Sequence, residues 1–267
     1  MEDPKVQITD CKMTATRYNK IAVIILAAGL GTRMKSNKAK VLHTILDKPM
    51  VLYVVESAKT VAGRNIIVVV GNQAEQVREV VRRATPARFA YQEKQLGTGH
   101  AVLCALPEVP ADCDQVLILC GDVPLITART LEQMLEDHCE TGRDITVLAV
   151  SLANPTGYGR ILLNDRRQIC SIIEEADASE AQKQIKMVNT GIYCVKKELL
   201  GSALAKVKPD NSQGELYLTD IVETAYTQGR LTGVFMGSDD REFWGVNNLQ
   251  DLAKVEMLMR QRAGIIS

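Results

Sequence analysis

Ile21-Ala-Val-Ile-Ile-Leu-Ala-Ala-Gly29-Leu-Gly31-Thr32-Arg33-Met34 is the stretch on which the fold turns. Its apolar run carries no polar alternation, as in a strand covered on both faces of a sheet. The run empties into a Gly-x-Gly turn followed by a hydroxyl and a cation. Glycines let main-chain N–H groups come close to a phosphate. The dinucleotide fingerprint and the Walker A loop, counted from Gly29, both require glycine at 34, where Met34 stands, so both fail. Arg33 and then Lys40 follow the turn closely enough to converge on one polyphosphate. Each would otherwise be a solvated surface charge.

Working outward, residues 66–70, 116–119, 145–150 and 192–195 repeat the buried-strand signature of 21–26. Between them, 50–61, 73–83, 99–106 and 128–139 have helical spacing. Strand–helix–strand repeats predict an α/β fold built on a doubly wound, mostly parallel sheet with right-handed crossovers. From 154 to 184 the apolar runs shorten and turn residues gather, which predicts hairpins forming a small lid over the sheet edge. Helical spacing returns over 218–228 and 249–262. The expected organisation is a polar tail over 1–20, one catalytic domain over 21–247 and a C-terminal helix within 248–267.

Ligands of such sheets bind beyond the carboxyl ends of the strands. There, Val116-Leu-Ile-Leu-Cys-Gly121-Asp122-Val-Pro124 delivers a carboxylate. Mg²⁺ takes few carboxylates and completes its shell with phosphate and water, so Asp122 suits it. The competing reading is a turn or cap before the helix near Thr127. Gln92-Glu-Lys-Gln95-Leu-Gly97-Thr98-Gly99-His100 combines amides that could read a base edge with flexible backbone. Pro155-Thr-Gly157-Tyr158-Gly159-Arg160, Glu174, Asn189-Thr190-Gly191 and Gly214-Glu215-Leu-Tyr217-Leu-Thr219-Asp220 carry polar groups of the kind that hold sugar hydroxyls, although turns use the same residues. Gly245-Val246-Asn247-Asn248 reads as a ligand or as a helix N-cap.

Acidic and basic residues balance at 32 each, which gives no reason to expect a nucleic-acid or membrane partner. Seven cysteines without a C-x-x-C pair match neither a zinc site nor a disulfide framework. Cys104, Cys120 and Cys194 read as small core residues of a cytoplasmic protein. His43, His100 and His138 fit no nucleophile–base pattern and read as structural.

Taken in order, LAAGLGTRM, KVLH, QLGTGHA, GDVPL, TGYGRI, NTG, GELYLTD and GVNN resemble the pyrophosphorylase domain of bifunctional N-acetylglucosamine-1-phosphate uridyltransferases, from about Ile21 onward. The resemblance implies a Rossmann-like nucleotidyltransferase fold. It implies that UTP and N-acetylglucosamine 1-phosphate give the UDP-sugar and pyrophosphate with magnesium. Leu26, Ala27, Ala28 and Gly29 match the nucleotide-holding segment, and Gln92, Gln95, Gly97 and Thr98 the uracil and ribose side. Arg33 and Lys40 match the phosphate clamp, and Asp122 and Asn247 the magnesium ligands. Gly159, Glu174, Asn189 and Thr219 match positions around the amino sugar. The chain departs from the pattern at Cys120, where relatives carry an aromatic residue, and at Ala176, where they often carry lysine. Another sugar phosphate with UTP or dTTP, or a non-catalytic sensor of nucleotide sugars, would use the same residues. No hexapeptide repeats follow, so the resemblance implies no acetyl transfer. The expectation is a stand-alone enzyme or an excised domain, acting as a monomer or weak homodimer.

Overall fold

The computed structural model describes residues 20–265. The expected tail over 1–20 lies, but for Lys20, outside the described residues. In chain order the elements are β1 (Ile21–Ala27), β2 (Thr44–Ile45), β3 (Lys48–Pro49), α1 (Met50–Ala62), β4 (Ile66–Val70), α2 (Ala74–Ala84), β5 (Arg88–Tyr91), α3 (Thr98–Ala105), β6 (Gln115–Cys120) and α4 (Ala128–Thr141). There follow β7 (Ile145–Ser151), β8 (Arg160–Leu163), β9 (Ile169–Ile173), α5 (Glu180–Lys183), β10 (Met187–Lys196), α6 (Lys197–Leu204), α7 (Asp220–Thr227), β11 (Thr232–Met236) and α8 (Leu249–Arg262).

The central sheet has the order β11-β7-β10-β6-β1-β4-β5. Its neighbours pair in parallel except at β10, which runs antiparallel to both β6 and β7. The doubly wound, mostly parallel α/β sheet expected from sequence is present, with one correction. Residues 192–195, grouped with the parallel strands, end a ten-residue antiparallel strand. The hairpin expected within 154–184 is β8–β9, joined to the sheet where Val188 faces Arg160.

β1 shows why the apolar run does not alternate. Ile21, Val23, Ile25 and Ala27 enter the layer made by α1, α2 and α4. Ala22 and Ile24 enter the opposite layer, made by α3, α6 and α7. Both faces are dry, so both registers must be apolar. The chain winds from β1 outward to β4 and β5, then returns to β6 on the other side of β1. That reversal opens a crevice beyond the carboxyl ends of β1 and β6. A third cluster of Met34, Ile45, Met50, Leu125, Val246, Val255 and Met259 docks α8 beneath the crevice.

Candidate active site

The end of β1 and the loop after it bury Ala27 and Ala28 and expose Gly29 and Leu30. Gly31 is left-handed at φ +64, and a Cβ there would stand 2.7 Å from the Cβ of Lys40. Only glycine permits both the turn and the passage of Lys40 over it. Thr32–Met34 form one 3₁₀ turn that sinks Met34 into the third cluster and leaves Arg33 facing out. Lys40–Leu42 form another, with Val41 and Leu42 buried and the Lys40 side chain reaching into the crevice.

Four residues from distant parts of the chain meet there. The Lys40 ammonium forms an ion pair with Asp122, each side chain being about four-fifths buried. Asn247 Oδ1 accepts from Arg33 Nη2 at 2.9 Å and lies 3.5 Å from Lys40 Nζ. Asn247 is held by its neighbours: Val246 N donates to Asp122 O at 2.9 Å, and Asn247 N donates to Asp251 Oδ2 at 3.0 Å. The competing helix-cap readings fall to other residues. Thr127 caps α4, and Asn248 caps α8 by accepting from Gln250 N and Asp251 N. Two hard oxygens, one anionic, thus converge on one cation, with a second cation beside them. Asp251, which fixes Asn247 through the backbone, was missed in the sequence. An acid in a helix's first turn is ordinary there.

The glutamine segment lies alongside. Gln92 is 3% exposed, and its Nε2 donates to Gly97 O at 3.1 Å and lies 3.1 Å from His100 Nδ1. Gln95 Nε2 donates to Gln92 O at 3.3 Å and reaches Ala28 O at 3.5 Å, tying the segment to the glycine loop. Gly97 has φ +106, and a Cβ there would stand 2.6 Å from Leu216 O. That close approach seats the segment on 214–220. Gly99 N donates to Leu216 O at 2.7 Å, Leu216 N to Leu96 O at 2.8 Å, and Leu218 N to Thr98 Oγ1 at 3.0 Å. His100 holds Gln92, and His138 bonds Thr146 and Gln115, both in keeping with structural roles.

Gly159, Glu174, Asn189 and Thr219 gather at the open end of the β8–β9 hairpin. Asn189 N donates to Gly159 O at 2.9 Å, and Glu174 Oε2 stands 3.4 Å from where a Cβ on Gly159 would be. A register shift in β10 between Asn189 and Tyr193 turns Asn189 aside, its Nδ2 donating to Tyr193 Oη at 2.7 Å. Burial pushes the Glu174 carboxyl up, the nearby Thr219 hydroxyl opposes the shift, and Asp220 and Asp177 add to it. Glu175, in contrast, pairs with the buried Arg160 at 2.6 Å and is pulled down by it. Cys104 and Cys120 are partly buried, and Cys194 is fully buried. Burial first, then the charge of Asp122, pushes the Cys120 thiol up to about 12. A thiol held neutral is a poor nucleophile, so Cys120 is a packing group against Gly191.

Comparisons with known proteins concern the chain as a whole. The profile of the family described as "Nucleotidyl transferase" matches residues 22–261. The "Bifunctional protein GlmU" of Geotalea uraniireducens (strain Rf4) is 46% identical over 244 residues, covering 91% of this chain and 53% of that protein. The protein of the same name from Desulfotalea psychrophila is 42% identical over 246 residues, covering 92% of this chain and 72% of that one. That of Caldanaerobacter subterraneus subsp. tengcongensis is 44% identical over 243 residues, covering 52% of its length. The chain thus spans about half the length of the first and third of these relatives. A crystal structure of UDP-glucose pyrophosphorylase complexed with UDP-glucose superposes with a TM-score of 0.73 over 91% of this chain and 99% of that one. At 18% identity, that likeness concerns the fold.

Proposed function

We propose a magnesium-dependent uridylyl transfer for this chain, which belongs to the nucleotidyl transferase family. The substrates are UTP and N-acetylglucosamine 1-phosphate, and the products UDP-N-acetylglucosamine and pyrophosphate, made in the cytoplasm. The observation that carries the reading is the meeting of Arg33, Lys40, Asp122 and Asn247 at the switch point of the sheet. The amino sugar follows from the motif resemblance, and the relatives of 42–46% identity named "Bifunctional protein GlmU" support it.

The chemistry needs no protein nucleophile. A phosphate oxygen of the sugar phosphate, already ionised at neutral pH, attacks the α-phosphorus of UTP in line. The bond from that phosphorus to the β-phosphate oxygen breaks, and pyrophosphate leaves with the electron pair. Catalysis is then positioning and charge neutralisation. Arg33 and Lys40 offset charge on the triphosphate. Leu26, Ala27, Ala28 and Gly29 lend backbone to the nucleotide, Gln92, Gln95, Gly97 and Thr98 seat uracil and ribose, and Gly159, Glu174, Asn189 and Thr219 surround the sugar.

The donor set fits magnesium. Asp122 and Asn247 present two hard oxygens, one of them anionic, to the Lys40 ammonium. Mg²⁺ is the ion that accepts few protein ligands and fills its shell with phosphate and water. Bound there, it would neutralise phosphate charge at the reacting centre.

Product analysis with UTP, dTTP, ATP and GTP against N-acetylglucosamine 1-phosphate and glucose 1-phosphate tests the reading. UDP-N-acetylglucosamine should be the dominant product, and preference for another base or sugar would replace that part of the proposal.

A further inference from the structure

The loop that carries Lys40 into the crevice is clamped by a residue outside the site. Gln73, between β4 and α2, sends its side-chain amide to residues 34 and 36 positions earlier. Its Oε1 accepts from Ala39 N at 2.9 Å, and its Nε2 donates to Asn37 O. One planar amide thus bridges both ends of the segment that enters the Lys40–Leu42 turn. The neighbouring Asn72 grips the other loop, its backbone N donating to Ala28 O and its Nδ2 to Leu30 O, both at 3.4 Å. The Gln73 backbone is left-handed at φ +51, a conformation that suits glycine and strains a long side chain.

We propose that Gln73 is a positioning residue for Lys40. Its amide fixes residues 37–39 so that the Lys40 ammonium stands ready at the triphosphate, which rests on the reaction proposed above. The loop itself is open: Lys35, Ser36, Asn37 and Lys38 are exposed and only Ala39 is buried, with Lys38 further held by its N–H on Ser36 Oγ and by the His43 ring on its backbone. The strained backbone is kept because it aims the amide at that loop. Small displacements of a charged group at a reacting centre cost rate steeply, about a hundredfold for roughly 1 Å.

Two variants separate latch from scaffold. Gln73→Gly removes the amide and relieves the left-handed backbone. Gln73→Glu keeps an acceptor for Ala39 N but sets a carboxylate oxygen against Asn37 O. Both should melt near the wild-type temperature. Both should lose about tenfold or more in kcat, with kcat/KM for UTP falling in step and KM little changed, as when a transition-state interaction is lost. Trypsin should cut after the exposed Lys35 and Lys38 faster than in wild type, because the loop opens locally. Wild-type kcat in either folded variant, or wild-type cleavage rates in both, would overturn the latch. The tryptic arm needs no turnover. Faster cleavage in variants of a protein that turns over no sugar phosphate would fault the proposed reaction and leave the latch standing.

Discussion

Lys40 and Asp122 hold opposite charges in one partly buried pair, yet the reaction asks them to act on different partners. Removing either should therefore cost rate even where the variant is folded. Lys40→Ala and Asp122→Ala are each expected to lower kcat/KM by about 10²–10³, the usual loss of one electrostatic stabiliser. Each side chain is about four-fifths buried, so removing one partner leaves the other charge without its counter-charge and lowers the melting temperature as well, and turnover is compared where the variant is folded. Near-wild-type turnover in either variant would remove that residue from the mechanism. A second residue-scale prediction concerns His138, whose pKa burial lowers to about 4, with Lys196 and Arg143 adding to the shift. The unfolded chain takes up that proton first. His138 therefore contributes stability above its ordinary value of 6.5, lost as the pH falls toward 4 and level below it. The loss is at most about 3 kcal/mol. Urea titrations of wild type and His138→Gln between pH 7 and 4 should converge as the pH drops; a constant gap would contradict the assignment. At this scale much was legible. Arg33, Lys40 and Asp122 each follow a buried strand, where chemistry is expected. Asn247 and Asn248 were ambiguous because a ligand and a cap look alike in sequence. Gln73 was invisible, since its partners lie 34 and 36 residues away.

The elements explain how the site is held. Met34, 1% exposed, closes the glycine turn by packing with Val246, Val255 and Met259. Met34→Ala should cost about 2–5 kcal/mol, as other large-to-small core changes do. It should also loosen Arg33 from Asn247, so denaturant unfolding and turnover should fall together. Full activity in a destabilised variant would show that the cluster does not position the clamp. Losing the Asn248 cap should cost α8 about 1 kcal/mol, measured by the same unfolding curves on Asn248→Ala. Sequence periodicity found the long buried strands and the amphipathic helices. It passed over β5, whose four residues bury only Ala90, because an edge strand shows no apolar run. It passed over β11, where Gly233 interrupts a short run, and α6, which follows β10 without a turn. It could not show that β10 is antiparallel, since direction leaves no mark on side-chain spacing.

The whole molecule places one crevice where its winding reverses. Two apolar layers cover the sheet, so the loops after β1 and β6 are where polar chemistry can gather. The glutamine segment, the hairpin and the C-terminal helix close on that point from three sides. Among the described residues, no helix is long and apolar enough to cross a membrane. The most direct test is pyrophosphate release from UTP in the presence of N-acetylglucosamine 1-phosphate. The account predicts release that needs both the sugar phosphate and Mg²⁺ and stops with EDTA. No release from a folded protein that binds UTP, or release indifferent to the sugar phosphate, would contradict it.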